Sequence, residues 1–156
     1  MDNQQYDSKK DTETHIVRVR ELIFDVITQL LIRAHNHDES KLLTPEKEVF
    51  DEYTPKLKDS SYGSKEYQMF LKEMEVALKH HYEQNKHHPE HFKNGINDMT
   101  LIDLIEMLCD WKAATERHAN GDVLKSLKIN KTRFKINEQL CQILENTYIA
   151  NKWLEK

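Results

Sequence analysis

Apolar residues recur every three to four positions through most of this chain, the spacing of amphipathic helices rather than the alternation of strands. The first such stripe is Ile16, Val19, Leu22, Ile23, Val26, Ile27, Leu30, Leu31 and Ala34. Thr12 or Thr14 is placed to cap it, and His15, four before Val19 and seven before Leu22, shares its face and is expected to turn towards a core. Thr44-Pro45-Glu46 marks a second start, with Thr44 as cap and Pro45 in the first turn, and Thr54-Pro55 is expected to stop that helix. After a polar connection, Ser64 can cap a third helix whose stripe is Tyr67, Phe70, Leu71, Met74, Ala77, Leu78 and Tyr82. His81 falls on that stripe and His80 on its flank.

The stretch from Gln84 to Asp98, rich in His, Asn, Pro and Gly, reads as a loop, and Thr100 opens a fourth helix. There Leu101, Leu104, Ile105 and Leu108 form one stripe. Ile102, Met107, Cys109 and Trp111 make most of the remaining circumference apolar, the mark of an enclosed helix. Asp103, Glu106 and Asp110 stand at i, i+3 and i+7 on one face of it. A turn at Asn120-Gly121 precedes Ile129 and Phe134 and a last amphipathic helix carrying Leu140, Ile143, Leu144, Tyr148 and Leu154. The expectation is an all-α protein: residues 1–11 as a flexible segment, then one compact bundle of five to seven helices over residues 12–156.

Composition agrees, with only three glycines and three prolines in 156 residues. A net charge of −4 offers no basic excess for a long nucleic acid, although a small anion remains feasible if a bound cation supplies the charge. No apolar run is long enough to span a bilayer and no leader-like segment opens the chain, so a cytoplasmic protein is expected. Cys109 and Cys141 lack metal-site spacing and read as two reduced, buried thiols.

Nine internal histidines are the unusual feature. Carboxylates on an enclosed helix are costly to desolvate without a nearby cation. The other inward-pointing polar residues are histidines, and imidazole with carboxylate suits manganese, iron, zinc, nickel or cobalt. Glu106 is a candidate proton acceptor, and Asp103 and Glu106 are also placed to orient ligands. His35, His91 and His118 read as surface or loop residues.

The order His15, His37-Asp38, His81, His87-His88 and Asp110 resembles the HD superfamily of metal-dependent phosphohydrolases, in which a His, a His-Asp pair and a distant Asp on a helical bundle bind metal. His37-Asp38-Glu39-Ser40-Lys41 is similar to the HDxGK form of the branch that hydrolyses cyclic dinucleotides. Ser40 replaces its glycine, however, and no Gly-Tyr-Pro element follows His91-Phe92. The resemblance implies His15, His37, Asp38 and Asp110 as core ligands. It implies His81 and His88 for a second ion, with His80 and His87 as alternates, and Lys41 as a phosphate contact. It further implies one or two divalent transition-metal ions and a small phosphorylated substrate such as a nucleotide. The alternative is a metal-containing protein that binds or sequesters a nucleotide, for instance a phage-encoded regulator or counter-defence factor; self-association is left open. Segments NHDESKL, FDEYTPKLK, HHPEHFKNGINDM and LIDLIEMLCDWKAAT also resemble a family of small phage and bacterial proteins.

Overall fold

The computed structural model describes residues 6–60, 63–117 and 121–154. His118, Asn120 and residues 1–5 of the N-terminal segment expected to be flexible lie outside the described residues. The described residues form seven α-helices and three 3₁₀ turns, with no strand. The helices are α1 (Lys9–Asn36), α2 (Glu46–Asp59), α3 (Lys65–Glu73), α4 (Glu75–Gln84), α5 (Leu101–Glu116), α6 (Val123–Phe134) and α7 (Glu138–Ala150). The all-helical expectation is met. None of these helices is long and apolar enough to cross a membrane.

Two compact units result, Met1–Asn36 and His37–Lys156. The first contains the single helix α1. It begins a turn before Thr12, because Asp7 Oδ1 accepts from the Lys9 amide at 3.0 Å and Ser8 O from the Thr12 amide at 2.9 Å. One helix offers no second surface inside its own unit, so none of its residues is buried and His15 is exposed. The expected inward turn of His15 is therefore not met within this unit.

In the second unit the chain passes through a 3₁₀ turn, Glu39–Leu42, into α2, which packs on α3 and α4. Pro45, after a cis peptide bond, precedes the first helical residue, and Thr44 bonds the Glu48 side chain instead of capping the backbone. The expected stop at Pro55 does not occur, and α2 runs on to Asp59. Pro55 is exposed and removes one backbone bond, which the packing of α2 on its neighbours outweighs. Ser64 caps α3 as expected, its hydroxyl accepting from the Tyr67 amide at 3.0 Å. The single third helix expected is two, broken at Met74, which is 1% exposed; the break lets both pieces reach α2.

The main core lies between α5, α6 and α7: Leu104, Met107, Leu108, Trp111, Val123, Leu127, Ile136, Leu144 and Tyr148. Burying each large side chain stabilises by about 1.5–3 kcal/mol. Trp111 stacks on Phe134 with rings 9° from parallel, and this turns α5 so that Leu101 and Ile105 face solvent while Met107 and Trp111 face inwards. Cys109 is exposed as a consequence, correcting the expectation of two buried thiols; Cys141 is half-buried. Thr100 and Asp103 close a reciprocal capping box on α5. Gly121 returns the chain so closely that a Cβ there would lie 1.7 Å from the Thr115 carbonyl oxygen.

Candidate metal centre

His37 and Asp38 open the second unit. Asp38 adopts a left-handed backbone, φ 59°, a conformation that Asp tolerates better than most residues, and from it the chain enters the 3₁₀ turn. Lys41, one turn on, donates to Asp38 Oδ2 at 2.6 Å and lies 5.2 Å from the Phe50 ring centroid. The other oxygen, Asp38 Oδ1, is buried and has no hydrogen-bond partner. It lies 3.3 Å from His81 Nε2 and 3.5 Å from His87 Nε2.

His81 comes from the inner face of α4 and is 1% exposed; His87 and His88 come from the loop after α4. His81 Nε2 and His88 Nε2 are 2.9 Å apart. The His87 and His88 rings pack with centroids 4.2 Å apart. Both ring nitrogens of His87 are buried without a hydrogen bond, although Nδ1 sits 3.1 Å from Glu106 Oε1 without the required alignment. The better-aligned partner of Glu106 Oε1 is His37 Nδ1, at 2.9 Å. His37 Nε2 faces Asp110 Oδ1 at 3.8 Å and Asp38 Oδ2 at 3.6 Å.

These placements polarise the site. The neighbouring carboxylate of Asp110 and the hydrogen bond to Glu106, opposed by burial, push the His37 imidazole up to about 10. Burial raises Asp38, but the His81 contact, Lys41 and His37 together outweigh it and hold the carboxyl far below the ordinary range. Asp110 is likewise raised by burial and lowered overall, chiefly by His37. His88 is pushed down to about 3 by burial and by the neighbouring His87 and His81, so at neutral pH its imidazole is uncharged and free to act as a ligand.

Three groups of donor atoms, each within 4.8 Å of one another, emerge: Asp38 with His81, His87 and His88; His37 with His87 and Glu106; His37 with Asp38 and Asp110. Each pair of groups shares one residue. Buried donors with no partner are the mark of a cation site, since desolvated polar atoms are otherwise nearly always satisfied. The spacing fits as well: ligands at about 2.1 Å from one ion lie about 3.0–3.4 Å from each other in octahedral or tetrahedral geometry. The separations of 2.9, 3.3 and 3.5 Å among His88, His81, Asp38 and His87 bracket that range. These buried and half-buried residues could hold a metal ion.

Of the residues expected from sequence, the structure gathers His37, Asp38, His81, His87, His88, Glu106 and Asp110. His15 lies in the other unit, outside these groups. His80 turns to Glu46 and joins none of the groups, so His81 is the inward member of the pair. Asp103 accepts from the Thr100 amide and hydroxyl in the capping box. The residue that sequence reasoning missed is Glu46, fully buried and within 2.9 Å of His81 Nδ1. A signal was there: Glu46, Val49, Phe50, Tyr53 and Leu57 are spaced at i, i+3, i+4, i+7 and i+11, which puts the carboxylate on the apolar face of α2.

The fold and cluster define an all-helical protein with a buried histidine–carboxylate centre. Residues 4–150 match the family of unknown function DUF5662, to which the chain belongs. No curated protein and no solved structure matches it.

Proposed function

We propose that the chain is a metal-dependent phosphohydrolase of HD type acting on a nucleotide or another small phosphoester. The observation that carries the reading is the set of partnerless buried ligand atoms, Asp38 Oδ1 and the two nitrogens of His87, within a cluster that brings Asp38 and His87 to His81 and His88 on one side and His87 to His37 and Glu106 on the other. The His-Asp pair and the later Asp110 occur in the order that resembles the HD superfamily. One or two divalent transition-metal ions would supply an acidified water at neutral pH and a positive charge beside a phosphoryl oxygen.

The chain's own residues have distinct parts. Asp38, His81, His87 and His88 would hold one ion, and His37, Asp110 and the shared Asp38 a second. Glu106, with Oε1 directed at His37 and His87, is placed either to ligate or to accept the water proton. Lys41 holds Asp38 Oδ2 and would offer its remaining N–H groups to phosphate. That same ion pair favours a second reading, a metal-containing protein that binds a nucleotide without turning it over, because a lysine engaged by its own carboxylate is a weaker clamp for phosphate.

Elemental analysis of protein purified without chelator, paired with a manganese-supplemented screen of mono-, di- and cyclic nucleotides, tests both. Bound transition metal with turnover that falls by orders of magnitude in Lys41→Ala supports the hydrolase. Metal and nucleotide binding without turnover supports the second reading. Protein that holds no metal and gains no thermal stability from zinc, manganese, iron or nickel overturns both.

A further inference from the structure

Glu46 has no place in the ligand groups, yet it is one of the most buried charged residues in the second unit, 0% exposed on the inner face of α2. Three groups converge on its carboxylate: Ser40 Oγ at 3.0 Å and His81 Nδ1 at 2.9 Å on Oε2, and His80 Nδ1 at 2.7 Å on Oε1.

The hydrogens around His81 Nδ1 can be assigned one by one. Asn85 Nδ2 lies 3.0 Å from that nitrogen, but its amide has two hydrogens, and two closer acceptors claim them: Ser40 Oγ at 2.8 Å and the His81 carbonyl at 2.8 Å. Ser40 has a single hydroxyl hydrogen, directed to Glu46 Oε2 at 3.0 Å, so its 3.2 Å approach to Nδ1 supplies no donor either. An ionised Glu46 carboxylate only accepts, so at 2.9 Å from it Nδ1 carries the proton and donates it to Glu46. A neutral imidazole then has its lone pair on Nε2, the atom 3.3 Å from the partnerless Asp38 Oδ1 and 2.9 Å from His88 Nε2.

We propose that Glu46 is a positioning residue that fixes His81 in the Nδ1–H tautomer, so that Nε2 is presented to a cation. Carboxylates behind metal-bound imidazoles commonly act this way, and their loss typically costs about 10–100-fold in metal affinity. The inference rests on the reading that the cluster holds a metal, and it adds a residue on α2 that touches no ion. Asn85 and Ser40 complete the arrangement as a relay, Asn85 donating to Ser40 Oγ and Ser40 donating to Glu46.

The test begins on metal-free wild-type protein with long-range ¹H–¹⁵N correlations of the histidine rings, which distinguish the tautomers directly. His81 with its proton on Nδ1 is expected; a proton on Nε2 overturns the proposal, and this measurement needs no variant. In Glu46→Gln the amide can donate to Nδ1, so the Nε2–H form should appear and zinc affinity, read by competition with a chromogenic chelator, should fall about 10–100-fold. His80→Ala leaves the Glu46–His81 contact intact and should bind zinc within a few-fold of wild type. Unchanged tautomer and affinity in Glu46→Gln, or an equal loss in His80→Ala, would refute the role. Wild-type protein that takes up no zinc defeats the metal reading alone, and the tautomers of the two proteins still decide the part played by Glu46.

Discussion

Asp38 combines three properties that seldom coincide in one residue: a left-handed backbone, a salt bridge through one oxygen and a buried, partnerless second oxygen. Asn also tolerates the left-handed region, so Asp38→Asn removes the anionic ligand with little backbone penalty. Metal content should collapse in Asp38→Asn while far-UV circular dichroism stays helical. Glu39→Ala, at the exposed neighbouring position, should leave metal content unchanged; equal effects of the two would dissociate Asp38 from the metal. His37 makes a second residue-scale prediction. Its imidazole is raised from 6.5 to about 10, chiefly by the carboxylates of Asp110 and Glu106, so it is charged at neutral pH without metal. Its contribution to the stability of metal-free protein is fully present below about pH 6.5 and is lost as pH rises through about 10. Ligation requires neutral imidazole, so zinc binding at pH 7.5 should release a proton that is absent in His37→Gln. Titration calorimetry in buffers of different ionisation enthalpy reads that difference.

At the scale of the element, α5 shows how one helix serves both core and site. Its start is set locally, by the reciprocal bonds between Thr100 and Asp103. Thr100→Ala should therefore cost about 1 kcal/mol, seen as a lower denaturation midpoint with an unchanged denaturant slope. Metal affinity should stay the same, because the proposed ligands Glu106 and Asp110 lie beyond the first turn. The face of α5 is set from outside: Met107 and Trp111 turn to α6 and α7, which leaves Glu106 and Asp110 on the flank that meets His37 and His87. Periodicity alone marked a helix apolar almost all round, and such a helix has no preferred inward face until its neighbours are in place. The same reasoning covers α2, where Pro55 punctuates the sequence but does not end the helix.

For the second unit as a whole, the apolar core and the polar centre are separate sources of stability. Leu127→Ala, deep between α5, α6 and α7, should destabilise by about 2–5 kcal/mol whether or not metal is bound. Zinc, by contrast, should raise the melting temperature of wild-type protein, by an amount corresponding to about 2.7 kcal/mol at a free concentration a hundred times Kd. EDTA should reverse it, and Asp38→Asn should show no such gain. Like-sized gains in Asp38→Asn would mean that zinc binds elsewhere.

What the sequence determined by itself were the local features. Helical periodicity, the Ser64 and Thr100 caps, the loop around His87-His88 and the inward phase of His81 over His80 all depend on residues within a few positions of each other. The adjacency of His37 and Asp38 and the acidic spacing of Glu106 and Asp110 were legible for the same reason. Tertiary structure alone decided which donors meet: His87 joined His88 in the ligand groups, and Glu46 was drawn under His81. Each outcome depends on where a second element lies, as with the 2.9 Å contact between α2 and α4 that buries Glu46. A carboxylate in the first turn of a helix reads as a solvated group until a histidine from 35 positions further along the chain removes it from water.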